Sequence, residues 1–280
     1  MSHVPVPDYN IVGPDVSVYQ KDIRWVDVSN QSAVGFALCK ATEGTEHVDS
    51  FFNRNITQMK THLSPKNRTF GVYTHPIAVG VYHFANIDPS YTTSDYENQA
   101  QFFYNTTHTH NPDFWMLDWE DTGGDSMSKD EKALHAKEFC VKLHQLLMSK
   151  YSPANPNYIP KIFIYVGYYY WGSPNVSVVE PVNQWFGTYG PKLWIASYPY
   201  DSSIINPPPP SQSQHDTIST DIKLNVPHFQ ATYTKPDSTT RTLSWSMWQY
   251  TSQSRVPGVT GNCDLSIARD SITWHYDFYQ

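Results

Sequence analysis

Apolar positions in this chain fall into short, nearly unbroken runs, separated by longer stretches with a helical period. The runs are Gly35 to Lys40, Gly80 to Phe84, Phe114 to Asp118, Lys161 to Tyr165 and Leu193 to Ala196. Continuous apolar runs of this length predict parallel strands buried on both faces. Between them, Lys129 to about Tyr151 predicts the clearest helix. Ser128 and Glu131 form a capping-box signature before it, and Ala136, Phe139, Leu143, Leu146 and Leu147 recur at helical spacing. Further helices are expected over Ser50 to Leu63 and Ser94 to Tyr104. The β-α-β-α rhythm predicts a parallel α/β fold, either a barrel or an open sheet.

Toward the C-terminus the rhythm breaks. Asn206-Pro207-Pro208-Pro209-Pro210-Ser211 opens a polar stretch running to about Thr242. Four consecutive prolines can join neither a helix nor a central strand. The stretch from about 201 to 242 therefore reads as a surface insertion, with a small hairpin near His228 to Thr234. Only about 38 residues follow Thr242, too few for an independent core. They should return to the main domain, making residues 1–280 one domain.

Composition narrows the function classes. A net charge of −7 argues against nucleic acid as a partner, because phosphate binding draws on Lys and Arg. Aromatic residues make up 15% of the chain, enough to fill a core and leave rings over for a ligand groove. Cys39, Cys140 and Cys263 are far apart and form no CxxC pair, so buried free thiols are expected. The start Met1-Ser2-His3-Val4-Pro5-Val6-Pro7 lacks the basic-then-apolar pattern of a secretory signal, and no apolar run is long enough to span a bilayer. Neither membrane insertion nor an obligate partner chain is expected, and a monomer is the simplest reading.

The candidate chemistry is acidic. Asp118 and Glu120 stand two apart at a strand end, so both side chains point to one face, with Cα atoms about 6.6 Å apart. Carboxylates this close repel when both are ionised, which raises one pKa. A glycosidase uses this to keep one carboxyl protonated as acid while the other stays charged. In a parallel barrel, C-terminal strand ends form the active face. Asp15 ends what would be the first strand, Glu43 follows the second, and Asp264 follows Gly261-Asn262-Cys263. Barrel closure would make first and last strands neighbours and bring Asp15 and Asp264 to the mouth that holds Asp118 and Glu120.

Seven segments follow one another along the chain: Asp15-Val-Ser-Val-Tyr-Gln20, Lys40-Ala-Thr-Glu-Gly44, Tyr82-His-Phe84, Leu117-Asp-Trp-Glu120, Trp194-Ile-Ala-Ser-Tyr198, Trp248-Gln-Tyr250 and Asp264. In this order they resemble the family 25 glycoside hydrolases, the Chalaropsis-type lysozymes of bacteria, fungi and phage endolysins, over roughly Pro14 to Ile267. The resemblance implies an irregular TIM-like β/α barrel with an incomplete ring of helices. It implies hydrolysis of the β-1,4 bond from N-acetylmuramic acid to N-acetylglucosamine in peptidoglycan, with no cofactor and no metal. It casts Glu120 as general acid and Asp118 as the residue that orients the substrate's 2-acetamido group for attack on the anomeric carbon. Asp15 and Asp264 become flanking carboxylates. Glu43, Tyr82, Tyr165, Trp194, Tyr198 and Gln249 would line the groove. The enzyme would act on the cell wall, and without a signal peptide its delivery would need a holin, a phage particle or another route. The chain departs from the family in a Tyr73-Thr74-His75-Pro76 stretch before Tyr82, in the long insertion, and in Asn262-Cys263-Asp264-Leu265-Ser266 where Val-Asp-Leu-Asn is more usual.

Competing signals are weak. His135 and His144 are nine apart on a helix, His108 and His110 alternate in a loop, and HExxH is absent, so no metal site is indicated. No nucleophile elbow or phosphate loop occurs. Two rivals remain: a chitinase-like glycosidase, although Asn111-Pro112-Asp113-Phe114-Trp115-Met116 lacks the longer acidic run expected before the pair, and a non-catalytic wall-binding module of a larger assembly.

Overall fold

The computed structural model describes residues 11–70, 73–120, 126–156, 158–167, 191–198, 232–234, 240–242 and 245–269. The strands are β1 (Val12–Val16), β2 (Phe36–Glu43), β3 (His47–Val48), β4 (Asn67–Phe70), β5 (Tyr73–Pro76), β6 (Ala78–Phe84), β7 (Phe114–Asp118), β8 (Ile162–Gly167), β9 (Lys192–Ala196), β10 (Thr232–Thr234), β11 (Thr240–Thr242), β12 (Trp245–Ser254) and β13 (Cys263–Ala268). Eight of them close a barrel in the order β1-β13-β12-β9-β8-β7-β6-β2, with β1 pairing back to β2. β13 runs antiparallel to both neighbours, and the other barrel pairings are parallel.

Among the described residues the helix ring is incomplete. One four-residue turn, α1 (Trp25–Val28), follows β1, and longer helices α2 (Phe52–His62), α3 (Thr93–Thr107) and α4 (Lys129–Tyr151) cover the β2-to-β8 side. The Ser128–Glu131 capping box forms as its spacing predicts, with Ser128 Oγ accepting from Glu131 N and Glu131 Oε2 accepting from Ser128 N at 2.8 Å. The Tyr73–Pro76 stretch is one arm of a β4–β5 hairpin. β10 and β11 form a second hairpin, a few residues beyond the expected His228–Thr234. Most of the 201–242 insertion lies outside the described residues.

Strand alternation splits the core in two. Outward residues such as Val79, Val81, Leu117, Ile164 and Ile195 pack under the helices, while Phe36, Leu38, Phe114, Phe163, Trp194 and Met247 fill the barrel interior. Burial on both faces is the reason β2 and β6–β9 read as continuous apolar runs. Two glycines make room for the interior rings. A Cβ on Gly80 would sit 2.2 Å from the Phe114 ring, and one on Gly13 would sit 2.2 Å from the Phe36 ring. All three cysteines are free and buried.

A buried polar network ties α3 to the barrel wall. The backbone N–H of Asn86 donates to Gln99 Oε1 and the Gln99 amide donates back to Asn86 O, both at 2.9 Å. That fixes the amide, so His83 Nε2–H donates to Gln99 Oε1 and His83 Nδ1 accepts from the Thr42 hydroxyl at 2.8 Å. Burial pushes the His83 pKa down to about 4 and keeps the ring neutral.

Candidate active site

Along each barrel strand the inward residues change from apolar at the base to polar at the C-terminal ends of the parallel strands. Inward positions read Phe36, Leu38, Lys40 on β2; Ala78, Gly80, Tyr82 on β6; Phe114, Met116, Asp118 on β7; and Phe163, Tyr165 on β8. Gln249 and Asp264 complete the rim from β12 and β13. The base plug excludes water, and the polar upper layer surrounds a cleft of about 320 Å³.

Four carboxyls share this cleft: Asp15, Asp118, Glu120 and Asp264. Asp15 and Asp264 are direct register partners across the β1–β13 ladder, so barrel closure brings them together. Burial, then the charge of Asp264, holds Asp15 well above the carboxylate range despite a 3.0 Å hydrogen bond from Gln249 Nε2. Asp264 is itself pushed up to about 6, first by burial. Standing opposite one another on paired strands, the two carboxyls resist ionising together.

The raised Asp264 pKa has a stability consequence. A carboxyl raised from 3.8 to about 6 on folding contributes stability fully below pH 4 and loses it as pH rises through 6. Asp264→Asn should therefore gain in melting temperature relative to the parent between pH 4 and 7, measured by calorimetry. Parallel curves for the two proteins would contradict the raised Asp264 pKa.

Asp118 is buried, and its Oδ1 finds no hydrogen-bond partner among the described residues. Burial, then the charges of Glu120 and Asp15, push its pKa well up, while Lys40 pulls it down. Glu120 is only partly covered. Burial raises its pKa, and the nearby Tyr165 hydroxyl, whose proton goes to Gln249 Oε1, opposes the rise. The Asp118–Glu120 pair therefore also retains a proton above the ordinary carboxylate range.

Gln249 organises one wall. Its Oε1 accepts from Tyr165 OH at 2.7 Å and from Tyr198 OH, which turns its NH2 toward Asp15. Of the residues expected in the groove, Tyr82, Tyr165, Tyr198 and Gln249 line the cleft. Two other expected groove residues do not. Trp194 is fully buried in the base plug, stacked on Phe114 and edge-on to Phe36 and Phe163, with its Nε1–H on Ser266 Oγ at 2.9 Å. Alternation gives its face correctly but not its height: in a barrel of tilted strands, register partners Tyr165 and Trp194 lie at different levels. The inward position that reaches the cleft is Tyr198, four residues on. Glu43 meets the cleft only through Lys40, whose Nζ bonds Glu43 Oε2 at 2.6 Å.

Lys40 escaped the sequence reading. Residues i and i+3 of a regular strand face opposite sides, so Lys40 and Glu43 should not meet. A register shift between Lys40 and Thr42, in the β2–β6 ladder, inserts an extra residue and restores them to one face. The same shift turns Thr42 outward to His83. Lys40 lies 4.7 Å over the Phe84 ring and is the cation lining the described cleft.

Comparison with known proteins agrees with this geometry. A family model described as glycosyl hydrolases family 25 matches residues 14–259. Lysozyme M1 of Streptomyces globisporus is 33% identical over 99 residues, a match spanning 35% of this chain and 28% of that protein's length. A family 25 glycosyl hydrolase from Bacillus anthracis superposes with a TM-score of 0.56 at 21% identity, covering 100% of this chain and 99% of that one. The catalytic domain of endolysin ply40, from a bacteriophage of Listeria monocytogenes, gives a TM-score of 0.57 at 16% identity with both chains covered at 100%. A muramidase from Trichobolus zukalii gives 0.52 at 20% identity, covering 91% of this chain and 92% of that one. These structures share the irregular barrel.

Proposed function

Because the chain belongs to the glycosyl hydrolases of family 25, we propose that it is a lysozyme-type muramidase. It cleaves the β-1,4 bond from N-acetylmuramic acid to N-acetylglucosamine in cell-wall peptidoglycan. The observation that carries this reading is the orphaned Asp118 Oδ1, buried in a carboxyl-lined cleft beside Glu120. A buried acceptor without a donor costs stability unless a ligand supplies one. The amide N–H of a 2-acetamido sugar is such a donor.

On this reading, sugar binding sorts the protons. The amide N–H stabilises the Asp118 anion, Lys40 supports it, and the bound ring covers Glu120 and favours its neutral form. The acetamido oxygen attacks C1 as the bond from C1 to the leaving oxygen breaks, and Glu120 donates its proton to that oxygen. The resulting Glu120 carboxylate then takes a proton from water as the water oxygen attacks C1, opening the cyclic intermediate and regenerating the acid. Asp15 and Asp264 hold the far wall through Gln249, Tyr165 and Tyr198. The set is complete within one chain, so a monomer suffices. Among the described residues no helix is long and apolar enough to cross a membrane.

The test is a choice of polymers. The protein should release soluble fragments from purified peptidoglycan and leave chitin intact. Release from chitin alone would replace the muramidase with a chitinase-like enzyme, and tight wall binding without release would indicate a binding module.

A further inference from the structure

Large apolar side chains are exposed at five described positions: Tyr19, Val26, Val48, Ile159 and Tyr198. The two aromatics among them both line the catalytic cleft. Tyr198 already has a task there, with its hydroxyl on Gln249. Tyr19 has none: its ring is 84% exposed, at the β1 side of the cleft. Single exposed apolar residues are ordinary on protein surfaces, so exposure alone carries nothing.

What distinguishes Tyr19 is the support beneath it. It is the middle residue of a single 3-10 turn, Val18–Gln20, that follows β1. Ser17 and Gln20 close a capping box around that turn, with Ser17 N donating to Gln20 Oε1 at 2.9 Å. Buried Asp49 accepts from Val18 N at 2.9 Å, and Gln20 Nε2 reaches across to Asn262 O at 3.2 Å, beside β13. Lys21 then leaves the turn at φ 52, a left-handed conformation that a non-glycine residue keeps only when its surroundings hold it there. The turn is thus closed on itself and anchored to two distant segments, while the ring is held out into water at the mouth of the cleft. A rigid aromatic with two side-chain torsions presents a broad apolar face at little entropic cost.

We propose that Tyr19 is a stacking platform for a further sugar, an N-acetylhexosamine unit of the glycan strand next to the cleaved pair on the β1–β13 side. The pyranose has an apolar face of axial C–H groups, which matches an exposed ring and would lower the cost of leaving that ring in water. The proposal rests on the carbohydrate reading of the cleft and extends it beyond the two sugars that the carboxyls serve.

The experiment separates binding from turnover. Glu120→Gln is titrated calorimetrically with peptide-free peptidoglycan glycan strands, and the same titration is run on Glu120→Gln with Tyr19→Ala, Tyr19→Phe or Tyr19→Trp. Tyr19→Ala should weaken binding roughly tenfold, with an unchanged melting temperature because the side chain is almost wholly exposed. Tyr19→Phe and Tyr19→Trp should bind within about twofold of the Glu120→Gln parent, since a flat face and not a hydroxyl is required. Equal affinity for Tyr19→Ala and its parent would overturn the platform while leaving the muramidase reading intact. A loss in Tyr19→Phe as large as in Tyr19→Ala would also overturn it, by placing the contact on the hydroxyl. If the parent binds chitin oligomers but no peptidoglycan strands, and Tyr19→Ala weakens that binding, the muramidase reading falls and the platform stands. Binding of neither polymer overturns both.

Discussion

Glu120→Gln is expected to lower kcat on peptidoglycan about a thousandfold or more, with KM changed little. The amide keeps the shape and polarity of the side chain but has no acidic proton for the leaving oxygen. Glu120 is the carboxyl best placed to give one: it is half-buried, it opens onto the cleft, and burial has raised its pKa. The Tyr165 hydroxyl near it donates to Gln249, which in turn donates to Asp15, so the wall beside the acid is tied to the Asp15–Asp264 pair. Partial exposure also means that the substitution removes little packing, and the melting temperature should stay within ~2 °C of the parent. A small loss of kcat in a well-folded variant would show that another group supplies the proton.

Asp118→Asn should lower kcat roughly a hundredfold to a thousandfold and at the same time raise the melting temperature. The two effects have one source. Asp118 is a buried carboxyl crowded by Glu120, Asp15 and Asp264, and its Oδ1 has no hydrogen-bond donor among the described residues. A carboxyl whose pKa is raised on folding gives up its stability contribution as pH rises, so the advantage of the neutral amide should be larger at pH 7 than at pH 4. In catalysis the anion is needed to hold the acetamido N–H and to steady the positive charge that develops as the acetamido oxygen attacks. A purely structural Asp118 would give the opposite pattern, with a lower melting temperature and kcat unaffected.

How far this could be seen in the sequence depended on which physical signal each part leaves. β2 and β6–β9 are buried on both faces, so their apolar runs stand out, and the capped helix from Lys129 to Tyr151 is bounded by its own side chains. β12 and β13 left no such run. Their inner faces carry Gln249 and Asp264 for the cleft and Ser266 for the buried Trp194 indole, and the alternation that results resembles an ordinary polar segment. The carboxyl set was legible because barrel closure follows from the strand rhythm, and closure makes Asp15 and Asp264 neighbours. Trp194 was placed on the correct face and at the wrong depth, because strand tilt is a property of the assembled barrel. Lys40 and Glu43 meet only through a bulge that neither residue announces. Tyr19 stood within the Asp15-to-Gln20 segment without marking itself, since its exposure depends on a turn tied to residues as distant as Asn262.

The account stands or falls on which new sugar end appears. Purified peptidoglycan is digested with the parent protein and with Glu120→Gln, the fragments are reduced with borohydride, and the reduced ends are identified by mass spectrometry. Reduced muramic acid from the parent alone is the predicted result. Reduced glucosamine ends, or equal release by both proteins, would contradict it.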